Sequence, residues 1–449
     1  MERAELARKL YASLSQAGHS DRSGVVAEAC DVVVVEEREP ARFCVAFADA
    51  VAAGGTVFLA NPGWGAAERA QFNALVATKS LEPRAGDGLF ATGSEMTAPS
   101  AAPGQSTRAN LKSKNDEGWL CIPTGGSTGK LKLARHDEDT LHAAARGFAE
   151  HFCVRRVNAV GVLPLHHVGG LMGWLRCALT GGEFVATSWK EIEAGVVPLL
   201  PARDDGWFLS LVPTQLQRLL AQPPAVAWLR GFRAVLVGGG AAWPELVAAG
   251  AQAKVPLAFT YGTTETAAAV AALRPEEFLA GGRGCGTALP HARVSVDGAG
   301  TLVVEGTSLF RGYWPGRREV GPWVTEDTGV FDEHGSLCVL GRRDSLIITG
   351  GEKVPPGEVE AALRATGEFE DVAVVGVPDG QWGSVVVACY PTSGREPDFA
   401  RVVVGLERLA VWKRPKRFVP LATWPRDAAG KVNRLELARQ AGEQNLARG

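Results

Sequence analysis

Short apolar runs alternating with helix-like stretches constrain this chain more than any other feature. β-Branched or aromatic runs at 31–35 (DVVVV), 56–60 (TVFLA), 159–164, 207–212, 234–237 and 257–261 have the composition of strands and are bounded by turn residues. Between the first two, residues 41–52 carry the 3.6-residue apolar spacing of a buried helix, and 65–76 form another after the second. Alternation of this kind predicts an α/β sheet. After Gly284 the texture changes. The stretches ARVSVDGAGTLVVEG and GVFDEHGSLCVLG read as short strands and turns, which predicts a small β-subdomain over 284–340. A helix at 357–365, strands at 372–377 and 384–390 and a helix at 398–409 then supply enough chain for a separate domain. The predicted division is 1–340 and 341–449.

Composition narrows the class. Lys+Arg 47 against Asp+Glu 49 gives a formal net charge of −2, without the basic footprint of a nucleic-acid binder. No uninterrupted apolar run reaches the roughly 18 residues that a bilayer span requires, and MERAELARKLYASL reads as a charged amphipathic helix with no apolar signal core. Eight cysteines without a CxxC pair signal neither a zinc site nor a disulfide framework. A cytoplasmic multi-domain protein is the expectation. Residues 92–110, small, polar and Pro-containing, read as an exposed connection.

Five stretches carry chemistry. The first, PTGGSTGKLK at 123–132, follows the strand-like WLCIP. Successive small residues let backbone N–H groups turn toward an anion, while hydroxyls and ammonium groups add donors and charge. Such a loop is either a flexible turn or a polyphosphate cradle, and Lys130 and Lys132 favour the cradle. Only three residues separate Gly125 from Gly129, and Leu131 follows Lys130, so it is not a Walker A loop. Second, the buried strand VLV at 235–237 ends in Gly238, Gly239 and Gly240, which would let a flat ring approach the backbone. Third, Tyr261, Gly262, Thr263, Thr264 and Glu265 place a ring, hydroxyls and a carboxylate at a strand end. They read either as a plain turn or as a site for a base, phosphate and Mg²⁺. Fourth, Asp327 in WVTEDTG is suited to vicinal ribose hydroxyls, and GRRD at 341–344 sets a donor fork beside the predicted domain junction. Fifth, PRDAAGKVNR at 425–434 presents Lys431 on a glycine turn. Taken singly, Asp327 and Lys431 read as surface charges.

In this order, from about residue 119 to 437, the motifs resemble the adenylate-forming superfamily of acyl- and aryl-CoA ligases, non-ribosomal adenylation domains and luciferases. The chain departs from that pattern at Gly125, Leu131 and Glu326, where a hydroxyl residue, Pro and Gly are usual. The resemblance implies a large N-terminal domain of β-sheets flanked by helices, with the β-subdomain, and a small mobile α+β C-terminal domain. It implies ATP, Mg²⁺ and coenzyme A as substrates and metal: a carboxylate attacks the α-phosphate of MgATP, and the thiol of coenzyme A then displaces AMP. Nucleotide binding would fall to Thr124, Gly125, Gly126, Ser127, Thr128, Gly129, Lys130, Lys132, Gly238, Gly239, Gly240, Tyr261, Gly262, Thr263, Thr264, Asp327 and Arg342. Within that set Tyr261 would stack on adenine, Asp327 and Arg342 would fix the ribose, and Thr128 and Lys132 would position pyrophosphate. Lys431 would bridge carboxylate and α-phosphate, Glu265 would hold Mg²⁺, Asp344 would be the hinge, and Gly350 and Gly351 would line the pantetheine tunnel.

Two further stretches, LPLHHVGGL at 163–171 and SLVPTQLQRLL at 210–220, resemble the aryl-CoA ligase branch that acts on 2-succinylbenzoate, a small aromatic dicarboxylic acid. The carboxylate that is not activated needs donors or a cation in the acyl pocket. His167, Ser210, Thr214 and the backbone at Gly169 and Gly170 are the candidates, His167 also as a catalytic residue; His166 stays unassigned. Outside this context His167 reads as a packed or turn histidine. The basic run WKRPKR at 412–417 reads either as a solvated face or as a contact for coenzyme A phosphates, and the solvated face is favoured. A homo-oligomer is an expectation of the resemblance alone.

Overall fold

The computed structural model describes residues 1–16, 32–77, 118–125, 130–350, 352–379, 381–392, 395–426 and 432–446. Gly126, Ser127, Thr128, Gly129, Gly351, Lys431 and the 92–110 stretch lie outside the described residues.

Helix α1 (Arg3–Gln16) buries Leu6, Leu10 and Leu14, one face at four-residue spacing. The first sheet joins β1 (Val32–Val35), β2 (Thr56–Leu59), β3 (Leu120–Gly125) and β4 (Leu131–His136) in sequential order. The first three strands are parallel, and β4 returns antiparallel on β3. Helix α2 (Pro40–Ala53) crosses between β1 and β2, and α3 (Ala66–Ala77) follows β2, as the apolar spacing predicts. Strand β4 was hidden in the sequence because LKLARH places charges between its leucines and closes on a histidine.

The second sheet has seven strands in the order β11-β10-β9-β8-β7-β5-β6. They are β5 (Ala159–Gly161), β6 (Phe184–Ala186), β7 (Phe208–Leu211), β8 (Ala234–Val237), β9 (Leu257–Thr263), β10 (Ala268–Ala272) and β11 (Thr287–Ala288). Strands β6, β5, β7, β8 and β9 are parallel, while β10 and β11 run antiparallel at one edge. Leu209, Val235, Val237, Leu257 and Phe259 face one core, and Phe208, Ala234, Leu236 and Ala258 face another. This two-residue period with both faces buried explains why the strands are near-continuous apolar runs. Helices α4 (Glu138–His151) and α5 (Val168–Thr180) are sandwiched between the sheets. Leu141, Ala144, Leu171 and Trp174 meet the first sheet's core, and Phe148 and Cys177 meet the second's.

The predicted β-subdomain contains a four-stranded antiparallel sheet of β12 (Ala292–Val296), β13 (Thr301–Gly306), β14 (Trp323–Phe331) and β15 (Leu337–Arg342). The DEHG turn joins β14 to β15, with the Asp332 carboxylate accepting from the N–H groups of His334 at 2.9 Å and Ser336 at 2.8 Å. A short ribbon of β16 (Ile347–Thr349) and β17 (Glu352–Val354) precedes the last sheet: β18 (Ala373–Asp379), β19 (Gly383–Pro391) and β20 (Arg417–Leu421). Helix Pro356–Arg364 covers one face of it and helix Arg434–Leu446 the other. Helix Phe399–Leu406 is shorter than the 398–409 predicted. Among the described residues no helix is long and apolar enough to cross a membrane, and the seven described cysteines are free thiols.

Trp174 is 1% exposed and meets Phe47 edge-on at 5.7 Å between ring centroids, where α5 locks onto α2. Trp174→Ala is expected to cost about 3–5 kcal/mol in urea unfolding, whereas Val320→Ala at a fully exposed position is expected to stay within about 0.5 kcal/mol of the parent.

Candidate active site

Among the predicted site residues, Ser210, Gly238 and Tyr261 lie at or near the ends of parallel strands of the second sheet, the place where open α/β sheets bind ligands. Thr124 and Gly125 close β3 opposite Lys132 and Leu131 of β4. The Leu131 N–H donates to Gln71 Oε1 of α3 at 2.9 Å, tying the returning arm down, while Lys130 and Lys132 are exposed. The Lys132 ammonium stands 5.0 Å from the centroid of the Tyr313 ring. Tyr313 in turn donates its hydroxyl to Glu265 Oε1 at 2.6 Å. A cation, a phenol and a carboxylate thus form one connected row. Glu265 is 7% exposed, and burial, then the carboxylate's charge, pushes the Tyr313 phenol well above its ordinary pKa. The phenol therefore stays protonated and able to donate.

Backbone geometry explains the YGTTE composition. A Cβ on Gly262 would lie 2.0 Å from the Ala268 carbonyl oxygen, so only glycine fits against the returning strand. The Thr263 N–H donates to Thr266 Oγ1 at 2.9 Å, and the chain then turns through Ala267 and Ala268 at φ +52° and +75°. The buried Thr263 hydroxyl has no hydrogen-bond partner among the described residues, a donor available to a ligand. At β8's end, a Cβ on Gly238 would meet Thr260 Oγ1 at 2.4 Å, Gly239 adopts φ +74°, and a Cβ on Gly240 would make only ordinary contact with Pro213 at 3.9 Å.

A second tyrosine–carboxylate pair lies beside the first. Tyr261 donates its hydroxyl to Asp327 Oδ2 at 2.8 Å, and the Asp327 N–H donates to Thr325 Oγ1 at 3.0 Å. Asp327 faces Arg342 across β14 and β15, with 3.9 Å between carboxylate and guanidinium. Burial, then Asp327's charge, raises the Tyr261 pKa as well. The structure thus brings Tyr261, Asp327 and Arg342 together, and separately Lys132 and Glu265.

His167 occupies the N-cap position of α5 without a side-chain capping bond, its backbone N–H donating to the Pro164 carbonyl at 3.1 Å. The rings of His166 and His167 are 4.4 Å apart, and burial, then the neighbouring ring, lowers the His166 pKa to about 3. A Cβ on Gly170 would strike the Pro164 carbonyl at 2.3 Å, whereas Gly169 meets only ordinary contact with Leu163. Ser210 near the end of β7 and Thr214 in the following helix Pro213–Leu220 are half-buried. Topology places Ser210 beside the glycine run: it pairs with Leu236, two residues before Gly238.

Farther along, a 3₁₀ turn, Arg343–Ser345, carries Asp344. Gly350 adopts φ +58° and a Cβ there would be 2.8 Å from the Trp382 ring, whose carbonyl accepts from the Gly350 N–H at 2.9 Å. The Lys416 ammonium covers that ring at 3.7 Å, and Lys413 pairs with Glu358 at 2.7 Å.

Tyr313 was missed by sequence reading, since RGYW carries no recognisable spacing and its partner is 48 residues away. Among the described residues no group of three or more His, Cys, Asp or Glu could hold a metal ion. One carboxylate suits Mg²⁺ that takes its remaining oxygens from phosphates and water, so the donor set fits a nucleotide-bound metal.

Fold and site together define a nucleotide-using enzyme of the α/β class. The AMP-binding enzyme family matches residues 8–314, and the AMP-binding enzyme C-terminal domain matches 358–431. The chain belongs to the AMP-binding enzyme family. It is 36% identical to the 2-succinylbenzoate–CoA ligase of Geobacillus kaustophilus (strain HTA426) over 336 residues, covering 70% of this chain and 68% of that protein. It is 32% identical to the indoleacetate–CoA ligase of Aromatoleum aromaticum over 335 residues, covering 70% and 66%. The solved o-succinylbenzoate CoA synthetase of Bacillus subtilis, in complex with its acyl-adenylate intermediate OSB-AMP, shares the fold with TM-score 0.72 and 23% identity over 97% of this chain and 92% of that one.

Tyr313→Phe removes the donor to Glu265 and is expected to cost about 1.5–3 kcal/mol in urea unfolding, the value of a hydrogen bond to a charged group. An unchanged midpoint would mean that the carboxylate does not depend on the phenol.

Proposed function

We propose that the chain is an AMP-forming acid–thiol ligase: it adenylates a small aromatic carboxylic acid with ATP and passes the acyl group to coenzyme A, with 2-succinylbenzoate as the acid. The observation that carries the reading is the pairing of two carboxylates with two tyrosines, one beside Lys132 and one beside Arg342. One end suits Mg²⁺ and polyphosphate, the other vicinal hydroxyls of a ribose. Relatives at 36% and 30% identity that bear the name 2-succinylbenzoate–CoA ligase support the choice of acid.

In the first step a carboxylate oxygen forms a bond to the α-phosphorus and the bond to pyrophosphate breaks. This chemistry needs alignment and charge neutralisation more than covalent help. Lys431 bridges the acid and the α-phosphate, Lys132 and the loop hydroxyl of Thr128 hold pyrophosphate, and Glu265 holds Mg²⁺. Tyr261 lies against adenine beside Gly238, Gly239 and Gly240, and Asp327 with Arg342 fixes the ribose. In the second step the sulfur of coenzyme A bonds to the acyl carbon, the thiol proton leaves and AMP departs. Asp344 is the hinge for the change between steps, with Gly350 and Gly351 lining the thiol's path. His167, Ser210, Thr214 and the backbone at Gly169 and Gly170 receive the second carboxylate. The reaction belongs in the cytoplasm, where both nucleotide substrates reside.

With ATP and coenzyme A present, pyrophosphate release is expected to be fastest with 2-succinylbenzoate. A faster response to benzoate, indoleacetate or a fatty acid would overturn the acid assignment. Lys431→Ala is expected to lower adenylate formation at least about 100-fold, the scale of losing one charge-stabilising group, while thiolation of pre-made acyl-adenylate continues. Equal loss of both steps would contradict its role.

A further inference from the structure

We propose that His136 is a positioning residue for the metal-side carboxylate, and that β4 acts as a ruler between the phosphate-loop lysine and Glu265; this rests on the nucleotide reading above. His136 closes β4 and is 0% exposed. Its Nε2 lies 2.8 Å from the Thr264 carbonyl oxygen, and its Nδ1 lies 3.0 Å from Thr140 Oγ1.

The hydrogen-bond chemistry fixes the ring's tautomer. A carbonyl only accepts, so Nε2 must carry the proton that reaches Thr264. Nδ1 lies against the Thr140 hydroxyl, which itself donates to the Asp137 carbonyl at 2.9 Å, so the Nε2–H contact with Thr264 is the one that sets the tautomer. Thr140 is itself immobilised, since Thr140 N–H donates to Asp137 Oδ1 at 2.9 Å and Asp137 N–H donates to Thr140 Oγ1 at 3.1 Å. The imidazole is thus held from the α4 side and projects one N–H at the YGTTE turn.

That N–H controls the peptide leading into Glu265. Glu265 is anchored at its own carbonyl, which accepts from the Phe310 N–H at 2.8 Å, and at its carboxylate by Tyr313. The carbonyl of the preceding peptide, at Thr264, accepts from His136 at 2.8 Å and from the Ala267 N–H at 3.2 Å. The turn needs such an anchor, because Ala267 and Ala268 just beyond it occupy the left-handed region that residues with a Cβ avoid. Lys132 and His136 are four residues apart on one strand, so they project from the same face. Lys132 reaches Tyr313 while His136 reaches Thr264. The two side chains that meet Tyr313 and Thr264 are therefore held about 13 Å apart at their backbones by a strand, and not by a loop.

The test uses the full-length protein and reads initial-rate pyrophosphate release against free Mg²⁺ at fixed ATP, with the melting temperature of each variant alongside. His136→Gln keeps an N–H at the reach of Nε2, whereas His136→Asn places its amide near Nδ1. The Gln variant is expected within about threefold of the parent, and the Asn variant to fall at least tenfold with a Mg²⁺ half-saturation raised at least fivefold. Gln and Asn variants with equal rates and unshifted Mg²⁺ dependence would overturn the proposal. The unaltered protein gives an independent reading through ¹⁵N-histidine NMR, with the ring identified by its loss in the folded Gln variant. A neutral Nε2–H ring that shifts on adding MgATP is expected, and an Nδ1–H ring, or one indifferent to MgATP, would overturn the proposal. A parent protein that binds no MgATP would defeat the nucleotide reading itself, whereas normal parent activity with an unaffected Asn variant would defeat only this inference.

Discussion

The tyrosine–carboxylate hydrogen bond is the interaction on which the site depends. Glu265 is nearly enclosed and Asp327 is mostly so. An enclosed carboxylate without donors is costly, often enough to be neutralised by proton uptake. Tyr313 and Tyr261 each supply one phenolic donor, and burial keeps those phenols protonated. Each carboxylate is then held in a fixed position by a donor, as charge stabilisation requires.

Secondary structure builds this arrangement from distant parts of the chain. Strand β9 delivers Tyr261 and leads directly into Glu265; the antiparallel pair β14 and β15 delivers Asp327 and Arg342; the antiparallel pair β3 and β4 delivers Lys132. The segment carrying Tyr313 crosses back to the first sheet, bridging Ala134. Phe310, Tyr313 and Trp323 pack edge-on, which fixes the aromatic support beside Glu265. Close approaches at Gly238, Gly262 and Gly170 leave no room for a Cβ, so the glycines there are answers to packing as much as to ligand access.

Much of this was legible in the sequence. Parallel strands announce themselves as apolar runs because both faces are buried, and motif residues such as Gly238 and Tyr261 sit at or near strand ends, whereas Asp327, whose WVTEDTG context reads as a turn, lies mid-strand in β14. Contacts between remote segments were not legible. Strand β4 carries Lys132, Arg135 and His136 among its apolar positions, which breaks the period that identifies a strand. Tyr313 and His136 act through partners 48 and 128 residues away, and neither belongs to a spacing that chemistry alone would single out. Helix Phe399–Leu406 ends three residues early because the chain turns at Glu407 and Arg408, a boundary that apolar spacing does not mark.

The most direct measurement is a crystal structure with a non-hydrolysable ATP analogue and Mn²⁺, with the metal located by anomalous scattering. The account predicts a manganese peak within coordination distance of the Glu265 carboxylate, phosphate oxygens facing Lys132, and ribose hydroxyls on Asp327. A nucleotide whose metal lies away from Glu265, or whose ribose lies away from Asp327, would contradict it.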